Sequence, residues 1–228
     1  MAVGACMRDR VVPSRTMSSV TSAPVVPQQT IVTLDLEGVL VPEIWIAVAE
    51  RTGIEALRRT TRDEPDYDLL MRGRLQILDE HGLSMSMIAE VIGGLAPLDG
   101  AREFLDELRA RTQVVILSDT FEQFAAPLMV HLGMPAIWCH SLDIADDRVV
   151  GFRRRMPEAK QAAVAALHGL NFRVIAAGDS YNDTTMLLAA DAGFLFHAPD
   201  NVRAEFPMLP ALDTYDELLD AITAALEG

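Results

Sequence analysis

The sequence predicts an α/β fold in which helices cover both faces of a parallel sheet. Residues 31–34 form an apolar run without a helical period, as expected for a strand that is buried on both faces. From about residue 100 onward, strand and helix patterns alternate, which is typical of parallel sheets. A block of helical patterns at 41–95 interrupts this order and predicts a small helical cap inserted after the first strand.

Two acidic residues follow the first predicted strand. The β-branched run at 31–34 leads into Asp35, and Glu37 comes two residues later. Gly38 follows directly and allows a tight backbone turn. In open α/β sheets, ligands bind outside the carboxyl ends of the strands, so Asp35 and Glu37 are candidate functional residues.

The predicted cap consists of helices separated by turns. Its first helix begins at Pro42, because proline suits the first turn of a helix. Residues 66–80 and 84–93 continue with apolar positions at helical spacing. Pro97 then marks the return of the chain to the main domain.

The rest of the chain alternates between helices and strands. A predicted hairpin follows the strand at 136–140, with Asp146 and Asp147 near its turn. This alternation again favours a parallel sheet. Predicted helices lie at 100–111, 121–132, 157–169, 183–190 and 214–226, and predicted strands lie at 113–118, 136–140, 172–177 and 192–197.

A second predicted strand, 172–177, also ends in acidic residues. Asp179 and Asp183 lie just after it, in the segment Gly-Asp-Ser-Tyr-Asn-Asp that starts at Gly178. Two strands with acidic ends can meet at one edge of a sheet. Such a group of carboxylates favours a site for a hard cation and for phosphoryl chemistry. The alternative is that these residues only cap the following helix, because Asp and Asn are strong N-caps.

Composition and charge exclude several classes of protein. The chain has 228 residues, of which 19 are basic and 33 acidic, and its formal net charge is −14. A phosphate backbone would be repelled, so we expect no nucleic-acid partner. No apolar stretch reaches the roughly 18 residues that a membrane span needs, so we expect no membrane partner. The two cysteines, Cys6 and Cys139, form neither a disulfide framework nor a zinc motif, which favours a reducing, cytoplasmic location.

Residues 1–29 differ in composition from the rest of the chain. They contain several Arg, Pro, Ser and Thr residues and lack the apolar core of a signal peptide. We interpret them as a disordered N-terminal extension that follows an upstream start, with Met17 as the true initiator; a targeting arm is the alternative. The remaining chain is expected to divide into a core domain at 30–40 and 96–228 and a helical cap domain at 41–95.

Four short motifs, in their sequence and in their order along the chain, resemble those of the haloacid dehalogenase-like phosphohydrolases. The resemblance covers the chain from about Thr30 onward. Residues 35–45 and 178–187 are similar to the phosphoserine phosphatase branch, and most of all to its bifunctional members, which also transfer phosphate from phosphoserine to homoserine. The motifs are Asp35-Leu-Glu-Gly-Val, the strand end at Ser118, the lysine Lys160 at the start of a helix, and Gly178-Asp-Ser-Tyr-Asn-Asp.

The resemblance implies a Rossmann-like parallel sheet with an inserted helical cap, and catalysis through an aspartyl-phosphate. Asp35 would be the nucleophile, which splits one difficult transfer into two steps. Glu37 would be the general acid for the leaving oxygen and then the base for the acceptor. Most relatives have aspartate at this position, so Glu37 departs from the family pattern. Lys160, the only lysine in the chain, would neutralise charge on the transferring phosphoryl group.

The resemblance also implies Mg²⁺ as the cofactor. Asp35, the backbone carbonyl of Glu37 and Asp179 would be its protein ligands, because Mg²⁺ prefers oxygen ligands and keeps several waters. Asp183 would support the metal site through a water molecule or through a hydrogen bond to Lys160.

The phosphate group of the substrate has its own candidate ligands. The Ser118 hydroxyl and the Asp119 backbone N–H would hold phosphate oxygens, as N–H groups at helix N-termini do. Asn182 would orient the phosphate or the lysine. A serine at the end of a strand is common, so this assignment depends on the order of the motifs.

Contacts to the rest of the substrate are expected from the cap. Arg74 would bind the carboxylate of phosphoserine through its planar guanidinium, with Arg72 as a near alternative. Glu43 would contact the amino group. The alternative for these residues is ordinary charge on a helix surface. The apolar cap residues, including Trp45 and Met71, are interpreted as core.

The predicted function is that of a Mg²⁺-dependent phosphoserine phosphatase or phosphoserine:homoserine phosphotransferase, acting as a monomer or homodimer. Its partners would be phosphoserine and, in the second case, homoserine. The first alternative is a phosphatase or phosphomutase of the same superfamily with another small phosphate monoester as substrate. Two others are a phospho-accepting receiver module and a catalytically inactive binding protein. No role is assigned to His140 or His197.

Overall fold

A computed structural model describes the protein at Met1 and at residues 28–61, 63–64 and 66–228. The predicted extension at 1–29 lies outside these residues, apart from Met1, Gln28 and Gln29, and so does the start site at Met17. The first strand begins at Gln29, two residues before the apolar run.

In the described part of the chain, seven strands form a single sheet. They are β1 (Gln29–Leu34), β2 (Gln113–Phe121), β3 (Ala136–Ala145), β4 (Arg148–Arg153), β5 (Phe172–Gly178), β6 (Ala192–Phe196) and β7 (Ala211–Leu212). Their order in the sheet is β4-β3-β2-β1-β5-β6-β7. β1 lies at the centre and runs parallel to β2 and β5, whereas β3 and β4 form an antiparallel hairpin. The predicted α/β fold with a mostly parallel sheet is confirmed.

Helices occupy the connections between these strands. Three of them lie within residues 41–95, where the cap is predicted; the division into two domains stays a prediction. No helix in the described part of the chain is both long and apolar enough to cross a bilayer. The helices are α1 (Ile44–Thr52), α2 (Tyr67–Glu80), α3 (Met85–Gly93), α4 (Ala101–Arg111), α5 (Glu122–His131), α6 (Ala159–Gly169), α7 (Thr184–Ala189), α8 (Asp200–Glu205) and α9 (Tyr215–Glu227), and short 3₁₀ turns lie at Glu55–Arg58 and Tyr181–Asp183.

Each face of the sheet packs against its own apolar cluster. Along β5, Ile175 and Ala177 belong to one cluster, and Val174 and Ala176 belong to the other. Successive side chains of a strand point to opposite faces, so apolar packing covers both faces of this sheet. The first cluster also contains buried residues of α1, α2 and α3, which therefore share one core with the sheet.

The carboxyl end of β2 differs from the prediction. The apolar pattern predicts a strand that ends at Ser118, but β2 continues to Phe121. Its pairing with β3 shifts before Phe121, so that residues 118–120 all stand opposite Cys139. A bulge of this kind releases backbone groups from the sheet and redirects the side chains. The polar residues of the bulge thereby reach the carboxyl edge of the sheet.

Other differences concern element ends and short elements. α1 begins at Ile44 and not at the predicted Pro42, because the Ile44 N–H donates to the Glu37 carboxylate at 2.9 Å. β3 extends to Ala145, beyond the predicted 136–140, because it pairs with β4. α8 and β7 are not predicted from the sequence, because they are too short for a clear periodic pattern.

The β3–β4 hairpin reaches the helices of the predicted cap. Asp146 and Asp147 form its turn in the left-handed region, with φ of 49° and 60°, as the sequence predicts. The Asp147 carboxylate accepts hydrogen bonds from the backbone N–H of Ser86 at 2.9 Å and from its hydroxyl at 2.6 Å. These contacts fix the start of α3 against the sheet.

Candidate active site

The carboxyl edge of the sheet brings the acidic residues of two strands together. Asp35 follows β1, and its N–H donates to the Ala177 carbonyl of β5 at 3.0 Å. Asp179 follows β5, and Asp183 ends the next 3₁₀ turn. Carboxylate oxygens of Asp35, Asp179 and Asp183 lie within 4.8 Å of one another, and all three residues are buried. These three residues, here called the acidic trio, have the donor chemistry of a hard-cation site.

Burial and mutual repulsion disfavour the charged forms of the acidic trio. Burial, followed by the charge of Asp183, raises the pKa of Asp35 well above its usual value, although Lys160 opposes the shift. The same two causes raise the pKa of Asp179 to about 7. A cation bound among these oxygens would remove the repulsion and favour their ionised forms. The electrostatics of the trio therefore fit a bound metal ion.

Lys160 places its ammonium inside this cluster from the first turn of α6. Its Nζ lies 2.6 Å from Asp183 Oδ1, 2.8 Å from Asp35 Oδ1 and 3.8 Å from Asp119 Oδ2. Burial by itself lowers the pKa of Lys160, but the charges of Asp183 and Asp35 raise it well above its usual value. One ammonium compensates only one of the three carboxylates of the acidic trio. Negative charge therefore remains for a cation to neutralise.

Asp183 links Lys160 to the backbone of the segment that follows β5. Its Oδ1 accepts from Lys160, and its Oδ2 accepts from the backbone N–H groups of Asp179 at 3.0 Å and Ser180 at 3.1 Å. Both oxygens are thus occupied by donors, and the residue is fully buried. This arrangement favours a supporting position for Asp183 over direct ligation.

Two glycines let the carboxylates approach the backbone. Gly38 has φ of +77°, and a Cβ there would lie 2.5 Å from Asp179 Oδ2. A Cβ at Gly178 would lie 2.4 Å from Asp183 Cγ. Both distances are far shorter than van der Waals contact, so a larger residue at either position would displace a carboxylate of the acidic trio.

Glu37 occupies the side of the site that faces the helices. Its Oε2 accepts the N–H of Ile44 at 2.9 Å, which fixes the carboxylate at the start of α1. Burial, followed by the charge of Glu43, raises the pKa of Glu37 to about 7. Hydrogen bonds from Ile44 and Thr120 oppose this shift. A carboxyl group with such a pKa can both donate and accept a proton near neutral pH.

The β2 bulge supplies the opposite wall of the site. Ser118 is buried there, and its Oγ accepts the N–H of Thr120 at 3.2 Å. Asn182 donates to Asp119 Oδ2 at 3.2 Å, which links the bulge to the turn after β5. The Asp119 carbonyl accepts the Tyr67 hydroxyl at 2.7 Å, which links the bulge to α2.

The helices between β1 and β2 contribute Arg74 and Glu43. Arg74 projects from α2 and is only 8% exposed. Burial lowers its pKa to about 10, while the charge of Glu37 opposes the shift, so the guanidinium stays protonated at neutral pH. Glu43 precedes the first residue of α1. Arg72, the alternative to Arg74, is exposed and lies outside the lining of the site.

A cavity of about 90 Å³ lies between the acidic trio and these helices. Nine of the ten predicted site residues line it, and the tenth, Asp183, lies behind Lys160. Trp45, which the sequence predicts as a core residue, belongs to the apolar core and also lines the cavity. Lining residues that the sequence analysis did not place in the site are Trp45, Thr60, Thr61, Tyr67, Leu70, Thr120 and Ser180.

The two histidines to which the sequence analysis assigns no role, His140 and His197, do not line the cavity. His140 is buried, with Nε2 at 3.5 Å from Asp119 Oδ1 and with Nδ1 accepting the Arg155 N–H at 3.3 Å. Burial lowers the pKa of His140, so it is a neutral interior residue with satisfied nitrogens. His197 contacts the Asp213 carbonyl at 2.9 Å.

The chain belongs to the haloacid dehalogenase-like hydrolase family, whose family model matches residues 30–191. This membership confirms the resemblance seen in the four motifs. It also argues against a receiver module, a class that is shorter and lacks an inserted helical cap. A phospho-accepting aspartate at the end of a strand is common to both classes, so the family match decides between them.

Two relatives with high sequence identity are named as phosphoserine phosphatases. The phosphoserine phosphatase ThrH of Pseudomonas aeruginosa is 64% identical over 186 residues, which are 81% of this chain and 91% of that protein. A phosphoserine phosphatase of Pseudomonas syringae pv. tomato is 64% identical over 187 residues, 81% of this chain and 78% of its own length. A solved structure described as a phospho-aspartyl intermediate analogue of phosphoserine phosphatase has a TM-score of 0.71 at 20% identity, covering 85% of this chain and 99% of its own. That likeness shows the shared fold.

Proposed function

We propose that this protein is a Mg²⁺-dependent phosphoserine phosphatase that works through an aspartyl-phosphate on Asp35. The observation that carries the proposal is the contact of Asp35 with Lys160, at 2.8 Å, inside a cavity that also contains Arg74. The lining of this cavity combines the groups for phosphoryl transfer with a buried cation for a carboxylate. The names of the two Pseudomonas relatives support the same substrate.

In the first half of the reaction, an Asp35 carboxylate oxygen attacks the phosphorus of phosphoserine. The bond between phosphorus and the serine oxygen breaks, and Glu37 gives its proton to that oxygen, so that serine leaves as the alcohol. The raised pKa of Glu37, about 7, supports this donor role because the protonated form is populated at neutral pH. Asp35 then carries the phosphoryl group.

In the second half, Glu37 takes a proton from the acceptor as its oxygen attacks the same phosphorus. With water as the acceptor, the bond between phosphorus and Asp35 breaks, and inorganic phosphate and the Asp35 carboxylate are released. Lys160 supports both halves, because its ammonium stays protonated beside the oxygen that carries the phosphoryl group.

Mg²⁺ suits the donor set of the site. Asp35, Asp179 and the Glu37 backbone carbonyl would hold the ion, and Asp183 would support it through Lys160 and the Asp179 N–H. Oxygen donors match the preference of Mg²⁺, and the uncompensated charge of the acidic trio requires a cation. When bound, the ion supplies charge stabilisation for the phosphoryl oxygens.

The β2 bulge would bind the transferring phosphoryl group. Ser118 and Asp119 line the same cavity as Asp35 and Lys160, where donors such as a hydroxyl and a backbone N–H would stabilise phosphate oxygens. Asn182 keeps this wall in place through its hydrogen bond to Asp119 Oδ2. The geometry of the bulge therefore supports the predicted phosphate role of these residues.

The amino-acid part of the substrate would bind at the other end of the cavity. Arg74 would hold the carboxylate, and Glu43 would contact the ammonium group. Arg74 is buried and protonated and makes no ion pair within 4.0 Å among the described residues. A substrate carboxylate would supply the missing counter-charge.

Arg74→Ala is expected to raise the KM for phosphoserine by about 10- to 150-fold, since a charge-assisted hydrogen bond contributes roughly 1.5–3 kcal/mol. Binding of phosphoethanolamine, which lacks the carboxylate, is expected to change little. Steady-state kinetics of phosphate release measure both effects. The matched control is Arg72→Ala, which removes an exposed arginine from the same helix. Equal losses for phosphoserine and phosphoethanolamine would contradict a carboxylate contact.

Gly38→Ala is expected to reduce kcat by on the order of 100-fold, because small displacements of reacting groups have effects of that size. The new Cβ would lie 2.5 Å from Asp179 Oδ2 and push the carboxylate out of the acidic trio. The matched control is Gly53→Ala, at φ +71° with nothing within 4 Å of the added Cβ. It imposes the same backbone strain without the collision. Equal activity of the two variants would contradict this account of Gly38.

Homoserine is proposed as a second acceptor for the phosphoryl group. It differs from serine by one methylene, which contributes only about 1–3 kcal/mol to discrimination, so a serine pocket tolerates it. A bound hydroxyl beside the aspartyl-phosphate also gains from proximity over dilute solution. The longer side chain of Glu37, in place of the usual aspartate, changes the position of the base that selects the acceptor.

The function and the acceptor are tested by incubating the protein with phosphoserine and Mg²⁺, with and without homoserine. Release of serine and inorganic phosphate supports the phosphatase, and O-phosphohomoserine detected by mass spectrometry supports the transferase. If serine and inorganic phosphate are the only products at saturating homoserine, the transferase proposal is wrong and the protein is a phosphatase only. No reaction with phosphoserine, but turnover of another small phosphate monoester, would favour the alternative substrate class.

A further inference from the structure

The Arg74 side chain is held in place without a carboxylate partner. Its Nη2 donates to the Arg59 carbonyl at 2.7 Å, and its Nη1 contacts Met71 Sδ at 3.6 Å. Its Nε is buried and has no hydrogen-bond partner among the described residues. One strong hydrogen bond does not fix the plane of a guanidinium that presents five donors. Another contact must therefore orient the group.

The indole ring of Trp45 provides that contact. The guanidinium carbon of Arg74 lies 4.6 Å from the Trp45 ring centroid, within the range of a cation–π interaction. Both side chains are buried and both line the cavity, so little water weakens the attraction. Trp45 is itself fixed by the ring of Phe124, which packs edge-on at a centroid distance of 5.4 Å.

The position of Trp45 depends on the contact between Glu37 and the start of α1. Trp45 is the second residue of α1, directly after Ile44. The N–H of Ile44 donates to the Glu37 carboxylate, so the start of this helix is tied to Glu37. A single short segment thus carries both Glu37 and the ring that faces Arg74. The distance between the proton donor and the carboxylate-binding group is set through this segment.

We propose that Trp45 is a positioning residue for substrate recognition, whose ring holds the Arg74 guanidinium for the carboxylate of the substrate. The proposal rests on the proposed function, since it assigns a role to Arg74 in binding phosphoserine. It differs from the sequence interpretation, in which Trp45 is a core residue. A core residue would affect stability and all substrates, whereas a positioning residue acts through Arg74 alone.

Trp45→Phe and Trp45→Leu separate these two roles. Phenylalanine keeps an aromatic face, and leucine keeps apolar bulk without one. We expect Trp45→Leu to raise the KM for phosphoserine by about 5- to 30-fold, the range of a desolvated cation–π contact. The kcat is expected to stay within about threefold of wild type, because the Asp35 end of the site is unchanged. Trp45→Phe is expected to restore most of the affinity.

A double-mutant cycle with Arg74→Ala gives the decisive comparison. If Trp45 acts through Arg74, Trp45→Leu has no further effect on phosphoserine KM in the Arg74→Ala protein. Binding of phosphoethanolamine, measured as a substrate or as a competitor, is expected to be unaffected by Trp45→Leu. Val48→Ala is the control for packing, because it removes buried apolar volume from the same helix at a residue that does not line the cavity.

The outcomes are distinct. A phosphoserine-specific rise in KM that vanishes in the Arg74→Ala background supports the proposal. Additive effects, equal losses for phosphoethanolamine, or an equal effect of Val48→Ala would overturn it, and Trp45 would then be a core residue only. Failure of the wild-type protein to act on phosphoserine would overturn the proposed function, and with it this inference; that result is recognised before any variant is compared.

Discussion

Asp35→Asn is expected to lower kcat for phosphoserine by on the order of 10³- to 10⁶-fold, the range seen when a covalent nucleophile is removed. An amide oxygen is a poor nucleophile and cannot form the aspartyl-phosphate. The substitution keeps the size of the side chain and removes a buried charge whose pKa is raised by burial and by Asp183. The fold is therefore expected to tolerate the change.

The measurement is phosphate release under saturating phosphoserine and Mg²⁺, with thermal unfolding as the check of the fold. Asp216→Asn is a suitable control, because Asp216 is exposed on α9 and lies outside the cavity. Turnover of Asp35→Asn close to the wild-type value would refute the nucleophile assignment.

Removal of divalent metal is expected to abolish turnover, and added Mg²⁺ is expected to restore it. The acidic trio has three carboxylates within 4.8 Å, and Lys160 compensates one of them. A ligand that binds only the folded state also stabilises it, so Mg²⁺ is expected to raise the unfolding temperature. The effects on turnover and on the unfolding temperature have the same cause, because the cation neutralises the negative charge of the acidic trio.

The test uses exhaustive dialysis against EDTA, then titration with Mg²⁺ while activity and thermal unfolding are recorded. Asp179→Asn is expected to weaken the response of both to Mg²⁺. Full activity in excess EDTA would contradict the metal assignment, and an unfolding temperature independent of Mg²⁺ would contradict binding at the acidic trio.

The strands that carry the acids could be predicted from the sequence because their signals are local. A β-branched apolar run followed by Asp35, and another followed by Asp179, are visible in short windows, and parallel strands place their carboxyl ends at one edge. The pairing of β1 with β5 then brings the two acids together. Ser118 and Lys160 could be assigned to the site only from the order of the motifs, because no local pattern distinguishes them from other serines at strand ends or other basic residues on helices.

Other features depend on contacts between distant segments and leave no periodic signal. The bulge before Phe121 arises from the pairing of β2 with β3, and the start of α1 arises from the Glu37 side chain. Tyr67 reaches the Asp119 carbonyl across 52 positions of the chain. Trp45 looked like a core residue because its neighbours in the helix are apolar, and only the position of Arg74 shows its second contact.

The proposed mechanism requires that the phosphoryl group of phosphoserine passes through Asp35. The most direct measurement is to mix the protein with phosphoserine and Mg²⁺, quench in acid within one turnover, and map the modified peptide by mass spectrometry. We expect a phosphoryl group on the peptide that contains Asp35, and we expect it to be absent in Asp35→Asn and to be lost on exposure to base. Turnover of phosphoserine with no modified peptide, or with the phosphoryl group on another residue, would contradict it.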